Sequence, residues 1–257
     1  MSQVSVRNVW KRYEDQVVLE RINLEVDAGS FVAIVGPSGC GKSTFLRMLL
    51  SQERPCRGEI RIDDQPLATE PTPERGVVFQ RYSVFPHLTV LDNVALGLEA
   101  ERAPLTGRLF GARRREAVAA CREILAHVGL TSAHDKYPAQ LSGGMQQRLA
   151  IAQALVKKPK VLLLDEPFGA LDPGIRADMH QLMLRLFRET GMTVFMVTHD
   201  LREAFHLGTR IVAFDRYRTR EEEREVYGAT ITFDIPIDRS RPRRVPTALL
   251  DRARRSA

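Results

Sequence analysis

Short apolar runs separated by turn residues dominate the first 80 residues of the chain. Between Val17 and Val26, β-branched residues and leucines are interleaved with charged ones, which predicts a strand with one buried face. Phe31–Val35 is entirely apolar, as expected of a strand that is covered on both sides. Gly58–Ile62 and Gly76–Phe79 predict two further strands.

The pattern becomes helical from about residue 82 to residue 158 and then alternates again. The helical stretches and the later elements are Arg113–Val128, Gly144–Val156, a strand at Val161–Asp165, a helix near Asp178–Glu189, a strand at Thr193–Thr198, a helix at Leu201–Leu207 and a strand at Arg210–Phe214. This order predicts a parallel sheet wrapped by helices and interrupted by a helical insert. We expect one domain over residues 1–257, with the insert at about 82–158 and a short C-terminal extension at 216–257.

The C-terminal extension contains one strand-like segment, Ile231–Ile237, and much of the positive charge. Pro236 predicts that this segment lies at a sheet edge, because proline cannot donate a ladder hydrogen bond. The net charge is +6, and residues 216–257 hold 11 arginines against seven acidic residues. The Arg239–Arg244 run is interpreted as a solvated tail, with contact to a permease loop or to anionic lipid as the alternative.

Composition restricts the class of protein. Hydrophobic residues make up 44% and charged residues 27% of the chain, as in soluble globular proteins. No apolar run approaches the roughly 18 residues that span a bilayer, and the first residues lack the apolar core of a signal peptide. The three cysteines form no C-x-x-C pair, which favours a reducing cytoplasm. A basic stripe on the folded body is missing, so no nucleic-acid partner is expected.

A glycine-rich loop lies between the predicted strand Phe31–Val35 and the helix that begins near Lys42. It satisfies the pattern G-x-x-x-x-G-K-[ST] and consists of Gly36, Pro37, Ser38, Gly39, Cys40, Gly41, Lys42, Ser43 and Thr44. The glycines let backbone N–H groups point at phosphate oxygens, and the helix adds the positive end of its dipole. We expect Lys42 to reach the β- and γ-phosphates of ATP and Ser43 to bind Mg²⁺. A chance glycine-rich turn would not explain the lysine, the hydroxyls and the strand–loop–helix context together.

Two carboxylates follow the apolar strand Val161–Leu164. Asp165 and Glu166 stand at the carboxyl end of this strand, where parallel sheets bind their ligands. We expect Asp165 to hold Mg²⁺ through water and Glu166 to polarise the attacking water. A solvated Asp-Glu pair is the alternative, which the phosphate loop in the same chain makes less attractive.

A second glycine-containing helix start decides between classes of P-loop protein. It comprises Leu141, Ser142, Gly143, Gly144, Met145 and Gln146, followed by Gln147 and Arg148. This segment resembles the signature sequence of ABC ATPases. The resemblance covers about residues 3–215 and implies an α/β P-loop NTPase fold with a RecA-like parallel-sheet core, an N-terminal antiparallel β subdomain and an inserted α-helical subdomain. It also implies a head-to-tail dimer, in which the signature of each subunit covers the ATP of the other.

Four more positions match functional positions of the ABC family. Gln80 resembles the Q-loop glutamine that contacts Mg²⁺ and water, and His199 resembles the switch histidine that reaches the γ-phosphate. Asp172 resembles the D-loop aspartate, although Gly169 stands where many members have serine. Tyr13 resembles the aromatic residue that stacks on adenine, with a packed strand residue as its alternative.

The resemblance also implies partners. Arg81–Val90 is similar to the segment that receives the coupling helix of importer permeases, although Phe85 and Leu88 would also suit core packing. The Gln80–Asn93 stretch, Gly169–Pro173 and the short C-terminus resemble the nitrate, sulfonate and taurine importers. A closer resemblance, to members associated with urea carboxylase, implies a urea- or guanidine-like solute.

We therefore expect a peripheral protein on the cytoplasmic face of the inner membrane. Its expected partners are a second ATPase subunit, which is a copy or a paralogue, the permease subunits and, indirectly, a periplasmic solute-binding protein. Two alternatives remain open: an ABC ATPase of DNA repair or translation, and the ATPase of an exporter.

Overall fold

The computed structural model describes residues 2–80, 83–103, 109–218, 220 and 225–237. The strands in these ranges are β1 (Val4–Tyr13), β2 (Gln16–Val26), β3 (Phe31–Val35), β4 (Arg57–Ile62), β5 (Gln65–Pro66), β6 (Arg75–Val78), β7 (Val161–Asp165), β8 (Thr193–Val197), β9 (Arg210–Asp215) and β10 (Thr230–Pro236). The α-helices are α1 (Lys42–Leu49), α2 (Val90–Arg102), α3 (Gly111–His127), α4 (Gly143–Leu155), α5 (Pro173–Thr190) and α6 (Leu201–Leu207). None of the described helices combines the length and the apolar character needed to cross a membrane.

Two compact units make up the chain. The first unit comprises residues 1–71 and 193–257, and the second comprises residues 72–192. The phosphate loop, Tyr13 and His199 belong to the first unit, whereas Gln80, Asp165, Glu166, the signature and Asp172 belong to the second. The predicted division into one domain with an insert at about 82–158 and an extension at 216–257 stays a prediction.

An antiparallel sheet in the first unit has the strand order β2-β1-β4-β5. The pairing of β1 with β2 shifts register after Val6, Val9 and Lys11, and Asn8 and Arg21 have positive φ angles of 49°. These β-bulges interrupt the alternation of buried and exposed side chains. The hydrophobic pattern consequently predicted β2 but did not single out β1.

The other strands of the first unit pair in the order β10-β9-β3-β8. β3 is parallel to both β8 and β9, and all five of its side chains are buried, as its apolar sequence predicted. α1 packs the ring of Phe45 edge-on against Phe195 and Phe214, with centroid distances of 6.5 and 5.3 Å. β10 is antiparallel to β9 and lies at the edge of the sheet, which confirms the position predicted from Pro236.

In the second unit, β6 and β7 form a parallel pair, and α2, α3 and α4 lie between them in the chain. α5 begins at Pro173, five residues before the helix predicted near Asp178. Proline suits this first helical position because its missing N–H is not needed there and its φ angle is already helical. α5 ends at Gly191, which has a left-handed φ of 62°. β7 therefore delivers Asp165 and Glu166 to a loop of seven residues that leads directly into α5.

Candidate active site

The phosphate loop has a backbone that only glycine supports at Gly36 and Gly41. Gly36 has a φ of 148°, and a Cβ atom there would lie 2.1 Å from the carbonyl oxygen of Phe214. Gly41 has a φ of 82°, and a Cβ atom there would lie 2.6 Å from Cδ2 of Leu19. Neither position accepts a side chain without displacing the loop or its neighbours. The loop is therefore held open by its sequence and by the strands beside it.

Lys42, the first residue of α1, folds back over this loop. Its side chain is buried, and Nζ donates to the carbonyl oxygens of Gly36 (2.7 Å) and Pro37 (2.8 Å). The ammonium group thus lies within the curve of the loop, where a phosphate oxygen would bind. In this structure the loop carbonyls solvate the charge that a nucleotide phosphate would neutralise.

The start of α1 offers further anion contacts. Its N-cap is Gly41, which has no side chain to satisfy the first amides, and its first turn contains no acidic residue. Ser38 and Gly39 are exposed. An uncapped helix N-terminus beside an exposed loop is a site for phosphate. The Ser43 hydroxyl, in the first turn of α1, is a hard oxygen donor of the kind that Mg²⁺ prefers.

Tyr13 is fixed by a contact that the sequence did not predict. Its hydroxyl donates to Oε2 of Glu53, and Nζ of Lys11 lies 4.8 Å from the ring centroid. Glu53 also pairs with Lys11 at 3.1 Å and with Arg47 of α1 at 3.5 Å. The pKa of Tyr13 is raised, first by burial and then by the bond to Glu53. Burial alone would raise the pKa of Glu53, but the bonds to Tyr13 and Lys11 outweigh it and lower this pKa. The exposed ring is therefore anchored at its hydroxyl end, which suits a stacking platform.

The structure brings Gln80 and Glu166 together. Nε2 of Gln80 donates to Oε2 of Glu166 at 3.4 Å. The sequence pattern predicted that Gln80 directly follows a strand ending at Phe79. In the structure β6 ends at Val78, so Gln80 lies two residues beyond the end of the strand. Glu166 has a φ of 45°, in the left-handed region that is unfavourable for a residue with a Cβ atom. The turn after β7 thus has a strained backbone at Glu166, whose carboxylate lies beside an amide donor; backbone strain of this kind is common at functional positions.

Asp165 ends β7 one residue earlier and is half-buried. Its carboxylate adds a second hard oxygen donor on the same turn as Glu166. With the amide oxygen of Gln80, which belongs to the same unit, the donor chemistry fits Mg²⁺, which is usually bound by one or two carboxylates and by nucleotide phosphates.

His199 follows β8 in the first unit. Thr198 fixes the backbone at this point, because its N–H donates to the carbonyl oxygen of Ile34 on β3 and its hydroxyl accepts from the N–H of Asp200. Asp200 in turn caps α6 through the amides of Arg202 and Glu203. The imidazole is exposed. His199 therefore lies on a strand–helix turn that is hydrogen-bonded on both sides.

The signature segment begins α4. Ser142 is the N-cap, and its hydroxyl accepts from the N–H of Met145 at 3.4 Å. Space is open around Gly143, whereas a Cβ atom at Gly144 would lie 2.5 Å from Cγ2 of Ile175. Gly144 is thus required for the close approach of α4 to the start of α5. The start of α4 is a helix N-terminus, a type of backbone end that suits an anion, so binding of an anion by the signature stays a prediction.

Two further signature residues have specific environments. The side chain of Gln146 donates to the carbonyl oxygen of Pro138 at 2.9 Å, and Leu141 is buried. Gln147 is fully buried, and within the described residues neither of its amide atoms has a hydrogen-bond partner. A buried amide without such partners destabilises the fold, because it has given up its hydrogen bonds to water.

The predicted D-loop forms the turn between β7 and α5. Asp172 is the N-cap residue of α5, but its exposed carboxylate caps none of the α5 amides that the structure describes. Gly169 is also exposed, and its N–H donates to the carbonyl oxygen of Glu166 at 3.4 Å. The exposed turn therefore connects directly to the backbone of Glu166.

The predicted docking segment follows Gln80. Arg81 and Tyr82 lie outside the described residues, as does the Arg239–Arg244 run. Of the described part, residues 83–89, Phe85 is 42% exposed and its ring packs against His87 at 6.1 Å. Leu88 is half-buried, so core packing, the alternative to a docking role, accounts for only part of its surface.

Comparison with known proteins decides the family. The family model described as ABC transporter matches residues 19–169. The chain belongs to the ABC transporter family. A solved relative of this ABC transporter protein, a bacterial ABC transporter cassette with a dimeric structure, superposes with a TM-score of 0.73 at 32% identity and covers 91% of this chain and 99% of its own. The predicted P-loop NTPase fold with parallel and antiparallel sheets is confirmed, and the protein is an ABC-type ATPase.

Two curated relatives are named as import ATP-binding proteins. The ABC transporter chain is 41% identical to the aliphatic sulfonates import ATP-binding protein SsuB 1 of Rhizobium johnstonii, over 94% of this chain and 79% of the relative. It is 44% identical to the spermidine/putrescine import ATP-binding protein PotA of Marinobacter nauticus, over 81% of this chain. The match spans 54% of that polyamine relative, little more than half its length.

Proposed function

We propose that the protein is the ATP-binding and ATP-hydrolysing subunit of a bacterial importer, which drives a small polar solute through separate permease subunits. The proposal rests on two features that the second unit combines. It holds the Gln80–Glu166 pair and also, at Ser142, an exposed helix N-terminus that suits an anion. One nucleotide does not need two such cradles in one subunit. A second copy or a paralogue would supply the phosphate that the signature binds.

Each site residue has a defined task in the proposed reaction. ATP would bind with its adenine on Tyr13 and its phosphates on the loop, and Lys42 would exchange two carbonyl oxygens for phosphate oxygens. Glu166 would accept a proton from the water that attacks the γ-phosphate, yielding ADP and inorganic phosphate. Gln80 and His199 would orient the water and the γ-phosphate. Mg²⁺, held by Ser43, Gln80 and, through water, Asp165, would neutralise phosphate charge.

The shared γ-phosphate would convert hydrolysis into movement. In a head-to-tail dimer each ATP is bound by the loop of one subunit and by the signature of the other, with Asp172 at the contact. Hydrolysis removes the anion that both subunits bind, so the closed dimer is no longer lower in free energy than the open one. ATP therefore binds the closed dimer more tightly than the open one, and after hydrolysis to ADP and phosphate the dimer opens.

The movement would reach the membrane through residues 83–89. Phe85 offers an exposed aromatic side chain there. We place the protein on the cytoplasmic face of the inner membrane, bound to permease subunits that receive solute from a periplasmic binding protein. The relatives are named for sulfonates and for spermidine and putrescine; we favour a nitrate-, sulfonate- or taurine-like solute, with a urea- or guanidine-like solute as the second choice.

Solute uptake in cells tests this proposal. The chromosomal gene is deleted, and uptake of radiolabelled taurine, nitrate, urea, guanidine and spermidine is compared in cells carrying the wild-type gene or Lys42→Ala. We expect one solute to lose uptake in the deletion strain and to recover only with the wild-type gene. Unchanged uptake together with hydrolysis stimulated by nucleic acid would favour a repair or translation ATPase. Intracellular accumulation of a solute in the deletion strain would favour an exporter.

A further inference from the structure

Asn93 organises the loop that precedes α2. Its side chain is 1% exposed. Oδ1 accepts from the N–H of Phe85 at 2.8 Å, and Nδ2 lies within hydrogen-bond distance of the carbonyl oxygens of Phe85 (3.0 Å), Leu88 (3.0 Å) and Thr89 (2.9 Å). One amide group therefore closes the backbone of residues 85–89, which we call the docking loop.

Gln153 connects this amide to the signature helix. Nε2 of Gln153, on α4, lies 3.2 Å from Oδ1 of Asn93 and 3.3 Å from its carbonyl oxygen. Oδ1 of Asn93 thus accepts from the docking loop and from α4 at the same time. An amide oxygen has two lone pairs, and both are used here.

A second set of bonds joins α2 to the segment in front of the signature. The N–H of Val90 donates to the carbonyl oxygen of Lys136 at 2.8 Å, and the N–H of Leu91 donates to that of His134 at 3.0 Å. These are backbone bonds, which a side-chain substitution does not remove. The docking loop, α2, the residues before the signature and α4 consequently form one hydrogen-bonded body within the second unit.

We propose that Asn93 and Gln153 are positioning residues that tie the docking loop to the signature helix, so that a shift of one shifts the other. Asn93 gives the loop its shape, and Gln153 links that shape to α4. The inference rests on the proposed function, in which a permease binds the docking loop and the signature binds the ATP of a second subunit. Neither residue contacts nucleotide in that scheme.

Gln153 allows the link to be cut while the loop stays intact. Gln153→Met replaces the amide with an apolar chain of similar length and removes both bonds to Asn93. The bonds from Asn93 to residues 85–89 remain. Asn93→Ala, in contrast, removes the support of the loop itself. Glu101→Ala, at an exposed position near the end of α2, is the matched control.

Hydrogen exchange of the full-length protein, followed by mass spectrometry with and without MgATP, tests the inference. The three substitutions are made in a Glu166→Gln background, which we expect to hold the ATP-bound dimer. In this background we expect ATP to slow exchange both in peptides of residues 141–155 and in peptides of residues 83–93. In Gln153→Met we expect the ATP response to persist at 141–155 and to be reduced at 83–93, where only the backbone bonds of Val90 and Leu91 still connect α2 to the residues before the signature. In Asn93→Ala the 83–93 peptides should exchange fast with or without ATP, and Glu101→Ala should match the background.

The possible failures are distinguishable. If the ATP response at 83–93 is the same in Gln153→Met and in the background, the inference is contradicted and the proposed function is not. The same conclusion applies if the 141–155 peptides of the background respond to ATP and the 83–93 peptides do not. A background without any ATP response at 141–155 contradicts the proposed function and, with it, the inference. A merely structural role for Gln153 would lower the melting temperature without separating the two responses.

Discussion

The amide of Gln80 donates to the carboxylate of Glu166 across 3.4 Å, although the two residues are 86 positions apart in the chain. The contact joins the residues that follow two adjacent parallel strands, β6 and β7. It orients the carboxylate through a contact that the protein itself supplies. Glu166 is thus the first residue on which the proposed mechanism can be tested.

Glu166→Gln should bind ATP normally and hydrolyse it slowly. Loss of a general base reduces turnover by about 10²- to 10⁴-fold, whereas the amide keeps the size and shape of the carboxylate. With ATP bound and unhydrolysed, the variant should accumulate as a dimer. Phosphate release, ATP binding and light scattering after gel filtration measure the three effects. Glu189→Gln, at an exposed position of α5, is the control, and retained steady-state hydrolysis in Glu166→Gln would remove Glu166 from this role.

Glu53→Gln should weaken ATP binding without changing the chemical step. Its carboxylate anchors the Tyr13 hydroxyl and is itself held by Lys11, so the neutral amide leaves the ring less firmly oriented. Loss of one aromatic contact is worth about 0.5–1.5 kcal/mol, which corresponds to an increase of roughly 2- to 12-fold in the KM for ATP.

Tyr13 variants separate the ring from its anchor. Tyr13→Phe keeps the ring and should resemble Glu53→Gln, whereas Tyr13→Ala should raise the KM further. Steady-state kinetics over a range of ATP concentrations check both expectations. A fall in kcat at constant KM would show that Tyr13 does not bind adenine.

Cys40 should react with alkylating reagents slowly, and MgATP should slow the reaction further. Its thiol is 2% exposed, and burial raises its pKa, although the nearby Lys42 opposes this effect. Little thiolate is therefore present at neutral pH, and the rate should increase as the pH rises. Once modified, the loop should no longer bind nucleotide.

The exposed Cys56 would react before Cys40, so the labelling is done in a Cys56→Ser background. A small reagent such as iodoacetamide, with peptide mass spectrometry, gives the modification rate at Cys40 with and without MgATP. Modification of Cys40 that leaves nucleotide binding unchanged would contradict the placement of phosphate at this loop.

Cys121 should make the protein less stable in alkaline solution. The side chain is completely buried, and burial raises its pKa from 9.0 to about 11. The folded state therefore keeps a proton that the unfolded state releases above pH 9. The contribution of the protonated Cys121 thiol to the free energy of unfolding is complete below pH 9 and is lost as the pH rises through 11. Over this interval the free energy of unfolding should fall by about 2–3 kcal/mol more than in Cys121→Ala.

Urea denaturation of the two proteins between pH 8 and pH 11 measures this difference. Other groups that titrate in this interval are common to both proteins, so they cancel in the comparison. Parallel pH profiles would show that the Cys121 thiol ionises as easily in the folded state as in the unfolded state.

The sequence predicted most of the elements that carry the site, because their signals are local. β3, β7 and α6 have the predicted bounds, and the phosphate loop lies between a strand and a helix as the motif requires. β1 escaped prediction because bulges near Asn8 break its alternation. α5 begins at Pro173, five residues earlier than predicted, because proline is accommodated at a first helical position although it does not mark a helix by itself.

Supporting contacts could not be predicted in the same way. Glu53 lies 40 residues from Tyr13, and Gln153 lies 60 residues from Asn93. No periodicity or motif connects such pairs, since each depends on how the intervening elements pack. Sequence motifs therefore indicate which residues do the chemistry, and the fold shows which residues hold them.

The self-contained bonding of Lys42 bears on how fast the enzyme can reset. Because the ammonium group donates to two carbonyl oxygens of its own loop, a departing nucleotide would leave that charge hydrogen-bonded. ATP gains only the difference between its phosphate contacts and those carbonyl contacts. The same exchange favours the loss of ADP after hydrolysis, when fewer phosphate oxygens remain to compete. The carbonyl oxygens of Gly36 and Pro37 thus limit the free energy that a phosphate contact with Lys42 can contribute to binding.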